Sequence, residues 1–352
     1  MSQRTLAGLV AAAVAAALAG FVFLLPLPYV VYRPGVTVDV LGTADGKEIV
    51  DIAGAEEYHD DGQLRMVTVS VTSPDTNVSL AELLTAWANK KNAVYPWSSV
   101  YTTGESNDDS EAEGAAEMAS SQDIATAIAL EETGVDVPQV TKIAGVEKGE
   151  PAYGVLEAGD IVVSIDGQDA SDANAMVKQI RSTPAGQALS IVIKRDGKQR
   201  TVSVTPTDHD GTPRIGASVG IGYDLPISVT IGISSAIGGP SAGLIFSLAI
   251  YDTLTPGSLT GGDKIAGTGE IETDGSVGAI GGIQQKIAGA TRDGAKLFLV
   301  PSDNCDEAIG AVDAKEHHIR LVKVTTMHDA RESIQAWVKD HDASLPTCKA
   351  AS

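Results

Sequence analysis

The first 25 residues are mostly apolar, whereas the rest of the chain mixes apolar and polar residues. Residues 6–25 are almost wholly apolar and uncharged, and Arg4 precedes them. Such a run is long enough to cross a bilayer as one helix, and the cationic start favours an inside N-terminus. We therefore predict a single-pass transmembrane signal anchor over residues 1–33, with the other domains outside the cytoplasm. A cleaved signal peptide, with its site near residues 17–19, is the alternative.

Shorter patterns after the anchor predict both strands and helices, and hence an α+β fold. An acidic segment, residues 105–117, contains Ser, Asn and Gly between its carboxylates and predicts a mobile loop. Alternating or continuous apolar runs predict strands, and periodic runs predict helices. The predicted strands are 37–41, 64–71, 223–233 and 319–324, and the predicted helices are 80–89, 121–132, 305–314 and 329–339.

Residues 138–206 carry a second set of signals. The motifs Gly149–Ala152 and Leu156–Gly167 are followed by a predicted helix over 173–182 and a hairpin over 189–204, whose Asp196-Gly197 suits a tight turn. This order resembles a PDZ domain, which binds an extended peptide at a sheet edge. The carboxylate-binding loop of that family has no clear match, and residues 133–137 are the nearest candidate by position. Substrate delivery, gating and a purely structural role stay open.

Two further motifs carry candidate chemistry. Ser241 lies in Gly239-Pro-Ser-Ala-Gly243, and Lys286 ends Gly-Gly-Ile-Gln-Gln-Lys, 45 residues later. A serine hydroxyl needs an adjacent base to act as a nucleophile, and burial lowers the pKa of a lysine amine until it can serve as that base. Thr268 is a weaker candidate for a hydroxyl that steadies Lys286, and Gly239 supports the loop.

These motifs belong to a longer series that resembles the proteolytic domain of Lon proteases. The series is Gly239–Gly243, Thr268–Ile271, Gly281–Lys286 and Leu297–Pro301, in the order and spacing of that family. The resemblance implies that Ser241 is the nucleophile and Lys286 the general base. One position differs, because the family usually has Asp where this chain has Gly238.

The two resemblances imply a domain order with an insertion. We expect residues 34–133 to form the first part of the Lon-type domain, 134–207 an inserted PDZ domain, 208–346 the rest of the Lon-type domain, and 347–352 a tail. Lon-type domains commonly form hexameric rings that enclose their active sites, so the resemblance also implies a homo-oligomer.

Composition and missing motifs narrow the range of partners. The formal net charge of −21 argues against nucleic-acid binding, which needs basic patches. No Gly-x-x-x-x-Gly-Lys-(Ser/Thr) motif occurs, so we expect cleavage of unfolded polypeptides without ATP. The six histidines fit no metal-binding spacing, and no metal or other cofactor is expected. Cys305 and Cys348 can form a disulfide or stay as free thiols.

Two other functions remain as alternatives to a membrane-anchored serine endopeptidase. The chain can be a PDZ adaptor whose protease half is inactive and serves as a scaffold. Gly-x-Ser-x-Gly also describes the nucleophile turn of α/β-hydrolases. An esterase of that class would pair Ser241 with a downstream histidine, and His317, His318 and His328 are available.

Overall fold

The computed structural model describes residues 3–170, 172–195, 197–316 and 318–349; the side chains of residues 19 and 22–24 lie outside this description. The helices are α1 (Gln3–Leu24), α2 (Leu80–Ala88), α3 (Asn107–Glu132), α4 (Ala173–Ser182), α5 (Gly243–Leu254), α6 (Ile283–Arg292), α7 (Cys305–Ala308), α8 (Val312–Lys315) and α9 (Met327–Lys339).

The strands are short, and many pair only locally. In chain order they are β1 (Pro26–Leu27), β2 (Tyr29–Asp39), β3 (Thr43–Ala44), β4 (Lys47–Glu48), β5 (Val50–Ala53), β6 (Gln63–Val71), β7 (Val78–Ser79), β8 (Ala93–Pro96), β9 (Gln139–Val146), β10 (Ile161–Ile165), β11 (Gln168–Asp169), β12 (Leu189–Arg195), β13 (Lys198–Val204), β14 (Thr207–His209), β15 (Thr212–Arg214), β16 (Ala217–Tyr223), β17 (Ser228–Ile231), β18 (Lys264–Gly267), β19 (Glu270–Ile271), β20 (Val277–Gly278), β21 (Leu297–Pro301) and β22 (Arg320–Val324).

Two compact units divide these elements. The first unit comprises residues 1–51, 56–125 and 229–352, and the second comprises residues 52–55 and 126–228. Most of the second unit therefore lies, in sequence, between two segments of the first, which is the order that an insertion produces. Its main segment is longer than the range 134–207 that the sequence predicts.

A six-stranded mixed sheet forms the centre of the first unit, in the order β22-β21-β18-β6-β2-β8. Strand β18 runs parallel to β6 and β21, and β21 runs parallel to β22, whereas β2 is antiparallel to β6 and β8. All residues of β21, Leu-Phe-Leu-Val-Pro, are buried, as is typical of a parallel strand covered on both faces. The mixed helix and strand content agrees with the predicted α+β class.

Two helices pack on this sheet, and the residues of the candidate site lie near the starts of both. Helix α5 contacts β6 and β18, and α6 contacts β2 and β6. Phe298 of β21 joins Ile283 and Ile287 of α6 in one core cluster. Burial of each such side chain contributes roughly 1.5–3 kcal/mol before the entropic cost of ordering. Core packing therefore holds the register of α6 against the sheet.

The second unit has a sheet of its own. Its strand order is β13-β12-β10-β9-β16, with β11 paired to β10, and its core includes Ile143, Ile165, Met176 and Leu189. Helix α4 spans the range that the sequence predicts, and the side chain of Asp172 caps it. Strands β12 and β13 form the predicted hairpin; Asp196 of its turn lies outside the described residues.

The sequence-based candidate for a peptide-binding loop, residues 133–137, lies next to an interior strand of this sheet. Residues 133–137 lead into β9, which is paired on one side with β10 and on the other with β16. Strand β16 is the last in the sheet order, and α4 contacts it. Gly216, with φ of 67°, precedes β16. Periodicity alone could not show this, because strand order is set by pairing between distant segments.

The acidic segment 105–117 was predicted to be a mobile loop, and this is wrong. Helix α3 begins at Asn107 and continues to Glu132. Ser106 and Asp109 cap its start reciprocally: the Ser106 N–H donates to Asp109 Oδ2 at 3.1 Å, and the Asp109 N–H donates to Ser106 Oγ at 3.2 Å. This is a capping box, and the alanines and glutamates that follow favour a helix.

Other boundaries also differ from the predictions. Strand β2 begins at Tyr29, inside the range assigned to the anchor, and the predicted strand 223–233 is divided between β16 and β17. Pro226 interrupts it because proline has no N–H for a strand ladder. The predicted helix 305–314 is divided into α7 and α8.

The sequence predicts an anchor over residues 1–33 and a tail over residues 347–352. Helix α1 covers most of the apolar run. Within the described residues, no helix is both long enough and apolar enough to span a membrane. In the tail, residues 347–349 are described, and residues 350–352 lie outside the description.

A disulfide joins Cys305 of α7 to Cys348, across a sequence separation of 43 residues. Cys305 belongs to the same core cluster as Ile283 and Ile287 of α6, and Cys348 packs against that cluster. The bond thereby fastens the C-terminal segment beside α6. Of the two alternatives for these cysteines, the structure has the disulfide.

We predict that Cys305→Ser/Cys348→Ser lowers the free energy of unfolding by about 2–4 kcal/mol, because the unfolded chain loses a constraint. Urea unfolding of the oxidised wild type, the reduced wild type and the double variant measures this change. The reduced wild type serves as the control and should unfold at the same urea concentration as the variant. Equal stability of the oxidised and reduced proteins would contradict the prediction.

Candidate active site

Ser241 lies in the loop that leads into α5, the buried helix on the central sheet. Gly239 has φ of 92°, which a glycine adopts without strain and which lets the loop turn before Pro240. Gly243 begins α5 with no room for a side chain, because a Cβ there would lie 2.6 Å from Ser121 Oγ and from Ile271 Cγ2. These two glycines let the loop lie close to its neighbours, with Ser241 half-buried beside the helix start.

Lys286 projects from the first turns of α6 into the same region. Its residue is 2% exposed, and its Nζ lies 2.9 Å from Ser241 Oγ. Gly282, which caps α6 with φ of 68°, is required here because a Cβ would lie 2.6 Å from Val69 Cγ1. The structure thus brings together the serine and the lysine that the sequence singled out, 45 residues apart.

Burial changes the acid–base properties of this amine. Desolvation lowers the pKa of Lys286 from its ordinary 10.5 to about 7, because the charged form loses its hydration. No described carboxylate forms an ion pair with Lys286 that would offset this effect. Near neutral pH the amine is therefore divided between its charged and neutral forms, and the neutral form can accept a proton.

Thr268 contacts both members of the pair. Its hydroxyl donates to the Ser241 carbonyl oxygen at 2.8 Å and accepts from Lys286 Nζ at 3.1 Å. One hydroxyl can do both, since it has one hydrogen and two lone pairs. Thr268 is 1% exposed and immediately follows β18. The weaker sequence candidate therefore lies at the centre of the contact network.

The start of α5 offers backbone donors beside Ser241. The Ser241 carbonyl accepts from Thr268 and from the Gly269 N–H, but the N–H groups of Ser241 and Ala242 have no partner among the described residues. N–H groups at a helix start are unsatisfied within the helix and carry a partial positive charge. They can therefore stabilise an oxyanion that forms on a substrate bound at Ser241.

A cavity of about 540 Å³ opens beside the hydroxyl and the amine. Ser241, Ala242 and Lys286 form one part of its wall, and Arg292 is the other cation lining it. Much of the remaining wall is apolar and includes Val36, Met66, Val67, Val69, Met118 and Ile237. The cavity therefore offers a largely apolar space next to the Ser241 hydroxyl.

Helix α3 contributes residues to the site that the sequence did not identify. The Gly239 N–H donates to the Gly114 carbonyl at 2.9 Å, and Ser121 Oγ donates to the Pro240 carbonyl at 2.9 Å. Met118 of the same helix lines the cavity. The capping box at Ser106 was the available signal for this helix, but nothing in the sequence pairs α3 with the serine loop.

The histidines that an α/β-hydrolase would require are bonded elsewhere. His328, on α9, contacts Glu332 and Arg331, and its side chain is 52% exposed. His318 lies beside Asp313 and Glu316. His317 lies outside the described residues. Neither described histidine hydrogen-bonds to Ser241, whose hydroxyl is within bonding distance of Lys286.

Two segments of the chain match known protein families. Residues 224–335 match the Lon protease (S16) C-terminal proteolytic domain, and residues 118–205 match the PDZ domain. The chain therefore carries a Lon-type S16 proteolytic domain together with a PDZ domain. The family models support a serine protease.

Individual relatives cover parts of the chain. A Lactococcus lactis subsp. lactis (strain IL1403) protein named "Putative zinc metalloprotease LL2128" is 37% identical over 133 residues, covering 37% of this chain and 29% of that protein. The Lon protease of Campylobacter concisus (strain 13826) is 29% identical over 180 residues, covering 49% of this chain and 22% of that enzyme. This chain thus spans less than a third of either relative.

A solved structure with similarity to this chain is the PDZ domain of an SdrC-like protein from Listeria monocytogenes. It is 29% identical, and the match covers 23% of this chain and 86% of that domain with a TM-score of 0.22.

Within the described residues of the present structure, no group of three or more His, Cys, Asp or Glu side chains is arranged to hold a metal ion.

We predict that the amine of Lys286 titrates near pH 7. Lysine NMR signals of the wild type, compared with those of Lys286→Met, identify the resonance that the variant loses, and its pH dependence gives the pKa. The unfolded chain keeps its proton up to pH ~10.4. Wild-type stability relative to the variant should therefore rise from pH 7 to about 10. A pKa near 10 would contradict the prediction.

Proposed function

We propose that the chain is a serine endopeptidase in which Ser241 is the nucleophile and Lys286 the general base. The observation that carries this proposal is the 2.9 Å distance between Ser241 Oγ and Lys286 Nζ, together with the burial that lowers the lysine pKa to about 7. A nucleophile activated by a neighbouring base is the requirement for covalent acyl transfer.

The reaction follows from these positions. The neutral amine of Lys286 accepts the hydroxyl proton as Ser241 Oγ attacks the substrate carbonyl carbon. The resulting ammonium then gives a proton to the leaving amine, and an acyl-enzyme remains on Ser241. Lys286, neutral again, activates a water molecule that hydrolyses the ester and regenerates the serine.

Backbone groups supply the stabilisation of the intermediate. The N–H groups of Ser241 and Ala242 lack partners within the described chain and lie at the start of α5. A tetrahedral oxyanion beside Ser241 would accept from them, and removal of one such donor from a serine protease typically costs roughly 10²–10³-fold in kcat. Thr268 would hold the lysine amine in line with the hydroxyl.

The substrate is proposed to be unfolded or loosely folded polypeptide. The cavity beside Ser241 accepts an extended segment with an apolar side chain against Met66 and Met118. A folded domain would keep its own backbone paired and could not offer such a segment. The sequence contains no P-loop motif, and the proposed chemistry uses no nucleotide, so cleavage proceeds without ATP.

We further propose that the PDZ domain selects peptides at β16. Among the described residues this strand has one strand neighbour, β9, and helix α4 contacts it. Ile221 of β16 is 63% exposed. An extended peptide can add to a free strand edge through backbone hydrogen bonds. Binding of unfolded-protein peptides to the full chain tests this recognition. Absence of binding would leave gating of the active site as the role of the PDZ domain.

Two proposals concern the setting of the enzyme. The uncharged run 6–25 suggests a membrane anchor with the other domains outside the cytoplasm, and detergent-dependent extraction of the full chain tests it. The similarity to Lon domains suggests a homo-oligomeric ring, which mass measurement of the full chain tests; a monomer would overturn it. The activity experiment described next also distinguishes an inactive adaptor and a histidine-dependent esterase from the proposed peptidase.

We predict that Ser241→Ala and Lys286→Met each lower the cleavage rate of an unfolded protein by about 10³-fold or more, because each removes one half of the nucleophile–base pair. The rate of the full-length wild type should be equal with and without ATP. His328→Ala is the matched control, because this side chain is half exposed and bonded away from Ser241, and it should leave the rate unchanged.

Each alternative gives a different result in this experiment. An esterase would depend on His328 and tolerate Lys286→Met, and an adaptor would show no cleavage by the wild type. Circular dichroism of every variant shows that lost activity does not reflect unfolding.

We also predict that Thr268→Val lowers kcat by about tenfold, corresponding to roughly 1.4 kcal/mol, because Lys286 loses a hydrogen-bond partner and the Ser241 carbonyl loses a donor. Valine keeps the shape of threonine and removes its hydroxyl. Thr268→Ser, which keeps the hydroxyl, should retain most of the activity. Full activity of Thr268→Val would show that this hydroxyl has no part in the reaction.

A further inference from the structure

Helix α3 holds the loop before Ser241 by backbone-to-backbone contact. A Cβ built on Gly238 would lie 3.0 Å from the Gly114 carbonyl carbon and 3.1 Å from Gly114 Cα. The next residue, Gly239, donates its N–H to the Gly114 carbonyl at 2.9 Å. A side chain at position 238 would therefore crowd the α3 backbone and require the loop or the helix to shift by a few tenths of an ångström.

A second contact from α3 helps to orient one peptide group, whose Pro240 carbonyl also accepts from the Gly243 N–H at 3.2 Å. Ser121, 3% exposed, donates its hydroxyl to the Pro240 carbonyl at 2.9 Å. The peptide bond between Pro240 and Ser241 is trans, since the described chain has no cis peptide. In a planar trans peptide the C=O and the following N–H point in opposite directions. A carbonyl held towards α3 therefore directs the Ser241 N–H away from α3.

The next peptide group is held in a similar way from the other side. The Ser241 carbonyl accepts from Thr268 Oγ1 at 2.8 Å and from the Gly269 N–H at 2.9 Å. The Ala242 N–H, in the same peptide group, is then directed away from Thr268. The carbonyl oxygens of Pro240 and Ser241 thus both accept hydrogen bonds. The N–H groups of the same two peptide groups, on Ser241 and Ala242, have no partner among the described residues.

We propose that Ser121 and Gly114 of α3 are positioning residues that aim the Ser241 N–H as an oxyanion donor. This inference rests on the proposed peptidase function and adds to it a set of residues that touch neither the substrate nor the lysine. Ser121 acts through the Pro240 carbonyl, and Gly114 acts through its own carbonyl and through its contact with Gly238.

The test combines kinetics with amide hydrogen exchange on the full chain. Ser121→Ala removes the hydroxyl, and Ser120→Ala, an exposed neighbour on the same helix, is the matched control. We expect Ser121→Ala to lower kcat by about 10- to 100-fold with little change in KM, because an oxyanion donor acts mainly in the transition state. The pH at half-maximal activity should stay near that of the wild type, because Lys286 is untouched.

Hydrogen exchange reports on the loop whether or not the chain is active. In Ser121→Ala, exchange of the amides in residues 239–243 should accelerate several-fold, whereas in Ser120→Ala it should match the wild type. If the wild type does not cleave protein, the peptidase function fails, and the exchange result alone decides the positioning role. Unchanged exchange, or unchanged kcat in an active enzyme, would overturn the proposal.

A pair of glycine variants tests the same contact independently. Gly238→Ala places a Cβ 3.0 Å from Gly114, which the backbone must relieve by moving, whereas Gly114→Ala places one 3.4 Å from Gly238 Cα, an ordinary contact. We expect Gly238→Ala to accelerate exchange of residues 239–243 and to lower kcat more than Gly114→Ala does. Equal behaviour of the two variants would count against the proposal.

Discussion

The site depends on keeping an amine out of water within reach of a hydroxyl. Burial of Lys286 lowers its pKa to about 7 and is unfavourable for the charged form, so the surrounding fold has to hold the side chain in place. Packing of α6 against β2 and β6 does this, together with the hydrogen bond from Lys286 to Thr268. A carboxylate partner would make the charged amine easier to bury, but it would raise the pKa, so that the amine would stay protonated near neutral pH and could not accept the serine proton.

The serine loop is held from two directions. Thr268 and Gly269, just after β18, bind the Ser241 carbonyl, whereas α3 binds the Pro240 carbonyl and the Gly239 N–H. The glycines around Ser241 allow these close approaches, because a side chain at several of them would meet neighbouring atoms within 3.0 Å. Among the described residues, the N–H groups of Ser241 and Ala242 at the start of α5 have no partner. Nucleophile, base and proposed oxyanion donors therefore depend on one small set of contacts.

Much of the first unit and of the candidate site could be predicted from the sequence. Strand β6 and helix α9 follow from the apolar patterns over 64–71 and 329–339, and the motifs around Ser241 and Lys286 identified a possible nucleophile and base. The second half of helix α3 was predicted as a helix over 121–132, but its first half was missed because its acidic, glycine-containing sequence satisfies the rules for a loop. Its capping box is a local signal, but most of its evidence lies in contacts with residues 238–243, more than a hundred positions away. Strand order in the second unit was missed for the same reason.

The sequence by itself determined which residue types are available: a serine between glycines, a lysine among apolar neighbours, and a threonine between them in the chain. These are properties of composition and local spacing. Only the tertiary structure decided that Lys286 is 2% exposed, that its amine lies 2.9 Å from the serine hydroxyl, and that Ser121 reaches the Pro240 carbonyl. Desolvation and hydrogen-bond direction depend on atoms from distant segments, so they exist only once the sheet, α3, α5 and α6 have packed together.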